Sequence, residues 1–513
     1  MYAAKVRIAK RGADWPKLLT GSQYWGVKRG MTPCLNFQGY GMITDEKRET
    51  FGFRNFGKVN LGDKRRTKRL VKSVDAMCRH PGGTLPDKLN QPPDLRGFYR
   101  LMNRPETTHE VVFRAHADQT CAQISALGPA GIDVLRLHDA TELDYTTKKA
   151  LSEEMGQIGQ GTRRGYICHN SLAVRADTGE TLGLVSQILH HRANVPKKET
   201  TKARRKRANR ESRLWLQGVQ ASGAAPAGVR YIDVSDSLSD TFEYMAYQIH
   251  NDGHFVLRAR ENRKLTTPCA KQDYLFDAVR HLPVMGHSTL EVSVSDKREK
   301  RTAKMCIAFS EVTLAVPTEH LGEYPKVPLT MWVVRIWEPN TPPGEEPLEW
   351  ILLTNVPVTD TAAALERVSW YQNRWIIEEL HKGMKTGCGI ETLQFDTIEA
   401  VEPTIAVISA VATTLLRLRD AARAPDADVR PATEIVDPEY VDVLAKFYKK
   451  SLDAKPSVLQ FYKHVARLGG HQNRKCDGFP GWITLWRGWM KLQSMVDGYR
   501  VAHEKPAKSC GKT

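Results

Sequence analysis

From Asp63 onward the apolar positions of the chain recur with readable periods. In LGDKRRTKRLVKSVDAM, Leu70, Val71, Val74 and Met77 form a helical stripe behind an N-cap at Asp63. A second helical piece, PPDLRGFYRLMNRPETTHEVVFRAHADQ, follows a loop rich in Pro and Gly. Near residue 131 the period changes to that of strands. IDVLRLHDATEL predicts a strand ending near Asp139, and RGYICHNSLAVRADTGETLGLVSQILHHR predicts a hairpin turning at Asp177-Thr178-Gly179. VRYIDVSDSLSD predicts a strand that ends at Asp236, with a helix starting there. The runs HFVLRAR, KMCIAFSEVTLAV, LTMWVVRIW and LEWILLTNVPV make the next hundred residues rich in strands. Helical periods return in SWYQNRWIIEELHKGMKTGCG, IAVISAVATTLLRLRDAAR and DPEYVDVLAKFYKK. They continue from Trp482 to Tyr499, where Trp482, Leu485, Trp486, Trp489, Leu492, Val496 and Tyr499 share one stripe. The first 48 residues show no sustained period and read as an irregular, disordered arm.

Charge narrows the partners. The net charge of +17 and pI near 9.4 favour polyanions. Acidic membrane surfaces would also attract such a chain. No stretch approaches the roughly 20 apolar residues of a spanning helix, however, and the N-terminus has no secretory pattern. The nine cysteines are scattered without a CxxC pair, which fits a reducing cytoplasm better than a disulfide framework or a zinc site. The cations Lys64, Arg65, Arg66, Lys68 and Arg69 crowd the first turns of a helix, where they oppose its dipole. A phosphate backbone is the natural counterweight. The tract Lys197–Arg210 is also strongly basic and reads as a solvated loop or a DNA contact.

Candidate chemistry centres on SWYQNRWIIEELHKGMKTGCG. On a single helix, Tyr371, Arg374, Glu378 and Lys385 fall within an arc of roughly 60°, with Lys382 beside them. Ile376, Ile377, Leu380 and Met384 form the apolar back. One carboxylate ringed by cations and a phenol suits a surface that holds phosphates and a metal ion, though common ion pairs at helical spacing look the same. Asp139 and Asp236, each at a strand end, supply two more carboxylates. Three such acids can hold two divalent cations, and hard oxygen donors suit Mg²⁺ or Mn²⁺. Spacing alone leaves rivals open: Asp133, Glu142 and Asp144 near the first, Asp233 and Asp240 near the second, and Glu379 beside the third.

The ordered set resembles the cut-and-paste DDE transposases of the IS-four type, the transposon-five branch in particular. Tyr371, Arg374, Glu378 and Lys385 match the YREK signature of that family in every interval, and RWIIEELHKGMKTGCG resembles its consensus. LHDATEL at Asp139 and VSDSLSD at Asp236 resemble its two aspartate motifs. LGDKRRTKRL resembles its N-terminal DNA-binding helix, and GFYRLMN with Arg100 a second N-terminal contact. The likeness runs from about residue 50 to the end.

The resemblance implies a ribonuclease-H-like α/β core in which Asp139, Asp236 and Glu378 bind two Mg²⁺ ions, Mn²⁺ substituting, and cut DNA through a hairpin intermediate. It implies DNA contacts by Arg65, Arg66, Arg69, Arg100, Arg258, Tyr371, Arg374, Lys382 and Lys385, and base stacking on Trp350. Ser237 and Thr146 stand where the branch has basic residues, so a different terminal sequence is expected to be recognised. The expected domains are an arm at 1–48, a helical DNA-binding domain at 49–120 and a catalytic domain at 121–425 with a β-rich insertion at about 250–365. A helical dimerisation domain at 426–513 completes the chain. Expected partners are transposon-end and target double-stranded DNA and a second copy of the chain in the paired-end complex, with no membrane; the expected location is the nucleoid in a bacterial cytoplasm. The alternative is a non-mobile nuclease or DNA-binding protein derived from a transposase.

Overall fold

The computed structural model describes residues 50–192, 209–292, 301–318, 324–474 and 477–503, with positions 200, 203 and 207. The expected arm at 1–48 and most of the basic tract 197–210 lie outside the described residues. The described residues begin with a short helix at Phe51–Phe56, followed by helices α1 (Lys64–Arg79), α2 (Pro92–Met102) and α3 (His109–Ser125). Strands β1 (Val134–Asp144), β2 (Arg164–Arg175), β3 (Thr181–His190) and β4 (Tyr231–Ser235) follow, then α4 (Phe242–His250). Next come β5 (His254–Arg258), β6 (Gly286–Val292), β7 (Arg301–Leu314), β8 (Leu329–Trp337) and β9 (Glu349–Thr354). The chain returns to helix with α5 (Thr361–Gln372), α6 (Trp375–Lys382), α7 (Ile398–Arg423), α8 (Pro438–Tyr448), α9 (Val458–Leu468) and α10 (Trp482–His503).

Two compact units emerge. One is built from Val256–His320 and Pro325–Gln372. Its sheet runs in the order β5, β9, β8, β7, β6, every neighbouring pair antiparallel. The other holds residues 50–255, Tyr324 and 373–503, so the N-terminal helices, the first four strands and the C-terminal helices share one unit.

In the larger unit β1 is central. It pairs antiparallel with β2, which pairs antiparallel with β3, and on its other side it pairs parallel with β4. The β2–β3 turn falls at 176–180, where Gly179 takes a φ of 69° that favours glycine. β2 and β4 are buried over almost their whole length and β1 over its first half, as strands covered on both faces are, and they carry polar residues such as His138, Asn170 and Asp233 inside.

Three expectations need correction. The helix through Tyr371, Arg374 and Glu378 is not continuous: α5 ends at Gln372 and α6 begins at Trp375. The intervening turn is tight, with N–H groups of Ile376 and Ile377 donating to carbonyls three residues back, at Asn373 and Arg374. Lys385 lies beyond α6 in a π-helical turn, Gly383–Gly387. Second, α7 is long and apolar enough, by length and composition, to cross a membrane, so such a segment does exist; 83% of its apolar window is buried within the protein. Third, the strand expected to end near Asp139 runs on to Asp144. In the expected dimerisation domain, the Trp482–Tyr499 stripe packs inside its own subunit. Trp482, Leu485, Trp489, Leu492 and Val496 are buried, and all but Trp482 belong to a core shared with Tyr440, Leu444, Phe461 and Val465 of α8 and α9. An amphipathic stripe marks a buried face without saying whose core covers it.

Candidate active site and nucleic-acid interface

The parallel register of β1 and β4 fixes the centre of the site. The last pair is His138 opposite Ser235, so Asp139, midway along β1, and Asp236, just past the end of β4, follow side by side. Adjacent strands lie about 4.8 Å apart. Asp236 caps a short 3-10 turn, accepting the N–H of Leu238 at 3.1 Å, and the expected helix starts only at Phe242. Asp139 accepts the N–H of Ala140 at 2.8 Å.

Arg374, at the start of α6, reaches both remaining groups. Its Nη1 lies 3.4 Å from Asp139 Oδ2, and its Nη2 bonds to Glu378. The structure thus gathers Asp139, Asp236 and Glu378 around one guanidinium. Burial pushes the Asp139 carboxyl above its usual range, partly offset by Arg374. Asp236 is pushed up to about 7, by burial first and by the charge of Asp139 second. The rival acids are otherwise engaged. Asp133 pairs with Arg230, Glu142 and Asp144 share Arg163, and Glu379 pairs with Arg419. Asp233 accepts from Arg136, His138 and Gln248. Asp240 is buried in the turn before α4.

Lys382 is exposed on α6, and Lys385 lies 3.5 Å from Glu391. In the smaller unit, Arg258 is partly buried on β5. Trp350 is also partly buried, with its ring edge-on to buried Tyr371, centroids 5.2 Å apart.

Sequence reasoning named four of a set of six arginines and missed Arg96 and Arg104. An open cleft of about 580 Å³ is lined by Arg65, Arg66, Arg69, Arg96, Arg100 and Arg104. Arg96 and Arg104 were legible as a run with Arg100 at four-residue intervals, which shares one face of α2 and its extension. Asp63 holds Arg65 at 2.8 Å, Glu106 holds Arg66 at 3.1 Å, and Asp94 holds Arg69 at 3.6 Å. Such exposed pairs are worth about 0–1 kcal/mol, so they orient guanidinium groups without locking them away from a ligand. Gly97 makes room: a Cβ there would lie 2.3 Å from Arg69 Nη1. Six arginines around one open groove form the electrostatic footprint of a nucleic-acid phosphate backbone.

Residues 48–107 match the transposase DNA-binding family. The matched segment contains the whole arginine cleft. It supports a transposase or DNA-binding role for the chain, with DNA as its partner.

Among the described residues, no group of three or more His, Cys, Asp or Glu side chains is arranged to hold a metal ion as it stands. Arg374 already bonds to Asp139 and Glu378. The donors nonetheless fit in kind. Three hard oxygen ligands are gathered, two of them side by side with their carboxyls displaced upward, and added positive charge would relieve that conflict.

Proposed function

We propose that the protein is a DNA transposase of the IS-four type, which binds transposon ends, cuts them and joins their 3′ ends to target DNA. The observation that carries this reading is the flush pair Asp139 and Asp236, linked through Arg374 to Glu378, in a chain whose N-terminal segment matches a transposase DNA-binding family. A mixed sheet presenting two acids on adjacent strands, one midway along β1 and one just past the end of β4, faced by an acid-bearing helix, supports a ribonuclease-H-like core.

Asp139, Asp236 and Glu378 would hold divalent ions, Mg²⁺ or Mn²⁺. Bound there, two such ions supply activation of the attacking oxygen and stabilisation of the leaving oxygen in an in-line displacement at phosphorus. Arg374 would exchange its carboxylate partners for a phosphate oxygen, its planar fork suiting that contact. Lys382 and Lys385 would act as point charges on the same backbone. The arginine cleft would fix the register of the end DNA before cutting. Arg258 and Tyr371 would contact the backbone, and Trp350 would stack on a flipped base during hairpin formation. Two copies would act together on two ends, through a surface other than the buried stripe of α10.

The test is direct. The purified protein is incubated with Mg²⁺ and a plasmid carrying its own terminal repeats, and the released ends are resolved on a denaturing gel. Hairpin ends followed by strand joining are expected. Cutting without hairpins or joining would favour a non-mobile nuclease, and binding without cutting would favour a DNA-binding derivative.

A further inference from the structure

We infer that Asn170 and His381 are positioning residues that set where Glu378 stands relative to Asp139. Asn170 on β2 is the direct cross-strand partner of Asp139. Its Nδ2 lies 3.1 Å from Nε2 of His381, three residues beyond Glu378 on α6. Positions three and four apart share a helix face. The acid-bearing helix is therefore tied to the Asp139 row at two points, and Glu378 lies between them: Arg374 reaches Asp139 itself, and His381 reaches its neighbour Asn170.

The two ties differ in kind. Arg374 is an ionic tie that a phosphate can compete for. The His381 tie is buried and neutral: Asn170 is fully buried, His381 is 7% exposed, and burial lowers the imidazole to about 3. The Asn170 Nδ2 amide can only donate, so Nε2 of the neutral ring accepts and the ring proton sits on Nδ1. The orientation of Asn170 is fixed in turn. Its Oδ1 accepts from Gln187 at 2.8 Å, and Gln187 also donates to Ser409 at 2.9 Å and lies 3.1 Å from His109 Nε2. A polar chain running from α3 through β3 and β2 to α6 thus ends beside the acids. A buried row satisfied at each of these links resists rotation of α6 about its axis, which a greasy contact would permit.

The inference rests on the proposed function, because it assigns what holds one of the acids. Wild type, Asp139→Ala, His381→Leu and His381→Gln are compared as full-length proteins. Four quantities are read: manganese titration by calorimetry, nicking of a duplex ending in the element's terminal repeat, affinity for that duplex by gel shift, and thermal melting. Leu keeps the volume without the acceptor, whereas the Gln amide oxygen can replace Nε2. His381→Leu should weaken manganese binding and slow nicking by at least about tenfold, as loss of a supporting shell does, with DNA-end affinity within about twofold. His381→Gln should recover both to within about threefold. A His381→Leu protein that binds manganese and nicks like wild type overturns the inference. So does a folded His381→Gln protein as impaired as His381→Leu. If wild type and Asp139→Ala nick alike, or neither nicks, the proposed function itself fails and the inference falls with it.

Discussion

Two aspartates three residues apart on β4 and its end meet opposite fates. Asp233 is fully buried, yet Arg136 and His138 hold its carboxyl well below the usual range despite the opposing effect of burial. Asp236 is pushed up to about 7 by burial and by Asp139. The first acid has partners of its own, and its charge is consumed in joining β1 to β4 and α4. The second is set against another acid, with Arg374 as the nearby cation that offsets both. A buried carboxylate with a complete set of donors is architecture, whereas under the proposed function one placed against its own kind awaits a cation.

The largest test of this contrast is catalytic. Asp139→Ala, Asp236→Ala and Glu378→Ala should each cut DNA cleavage on the order of 10³-fold or more, with end binding retained. Gel-shift and nicking assays on the same preparations would check it. The contrast breaks if Asp233→Asn abolishes nicking in a protein of undiminished stability. Instead, Asp233→Asn should cost about 3–5 kcal/mol in urea unfolding, because it leaves Arg136 buried without its counter-charge.

A smaller effect is expected at the arginine cleft, where pairs are exposed. Replacing Arg65, Arg66 and Arg69 with Ala should weaken end binding. The slope of log affinity against log salt should flatten by about 0.9 for each phosphate that the variant no longer neutralises. An unchanged slope would remove the cleft from the DNA interface.

The smallest effect sharpens the comparison from the side of stability. Asp236 has a folded pKa of about 7, above its unfolded value of 3.8. Its protonated form therefore favours the folded state below about 4, and that contribution is lost as pH rises through 7. Asp236→Asn removes the charge at every pH, so it should raise the melting temperature at pH 8 and change it little at pH 4. A melting temperature that rises equally at both would show that the charge conflict is not the cause.

Much of this was readable in the sequence, for physical reasons that differ by element. Runs of apolar and β-branched residues located β1, β2 and β3, though β1 runs on to Asp144, and Asp177-Thr178-Gly179 marked the turn between the last two. The strand end at Asp236 was legible because turn chemistry follows a run of apolar residues. What periodicity could not supply was pairing. Nothing in a single strand says that His138 lies opposite Ser235, and only that register puts two acids side by side. Rival acids could not be dismissed either, since Arg163, Arg230 and Arg419 are distant in sequence from most of the carboxylates they neutralise. The break between α5 and α6 was hidden for a third reason. Residues 372–375 carry no Gly or Pro, and the helical period continues across the turn.

The contact of Arg374 with Asp139 also bears on when the protein becomes able to act. Arg374 and Asp139 are 235 residues apart in the chain. At a synthesis rate of about 5–20 residues per second, the aspartate leaves the ribosome roughly 12–47 s before its partner. Under the proposed function, a half-made chain can already hold the arginine cleft but has no Glu378 with which to cut. The order of translation itself would then act as a safety interval, in which a nascent enzyme beside its own gene can bind DNA without breaking it.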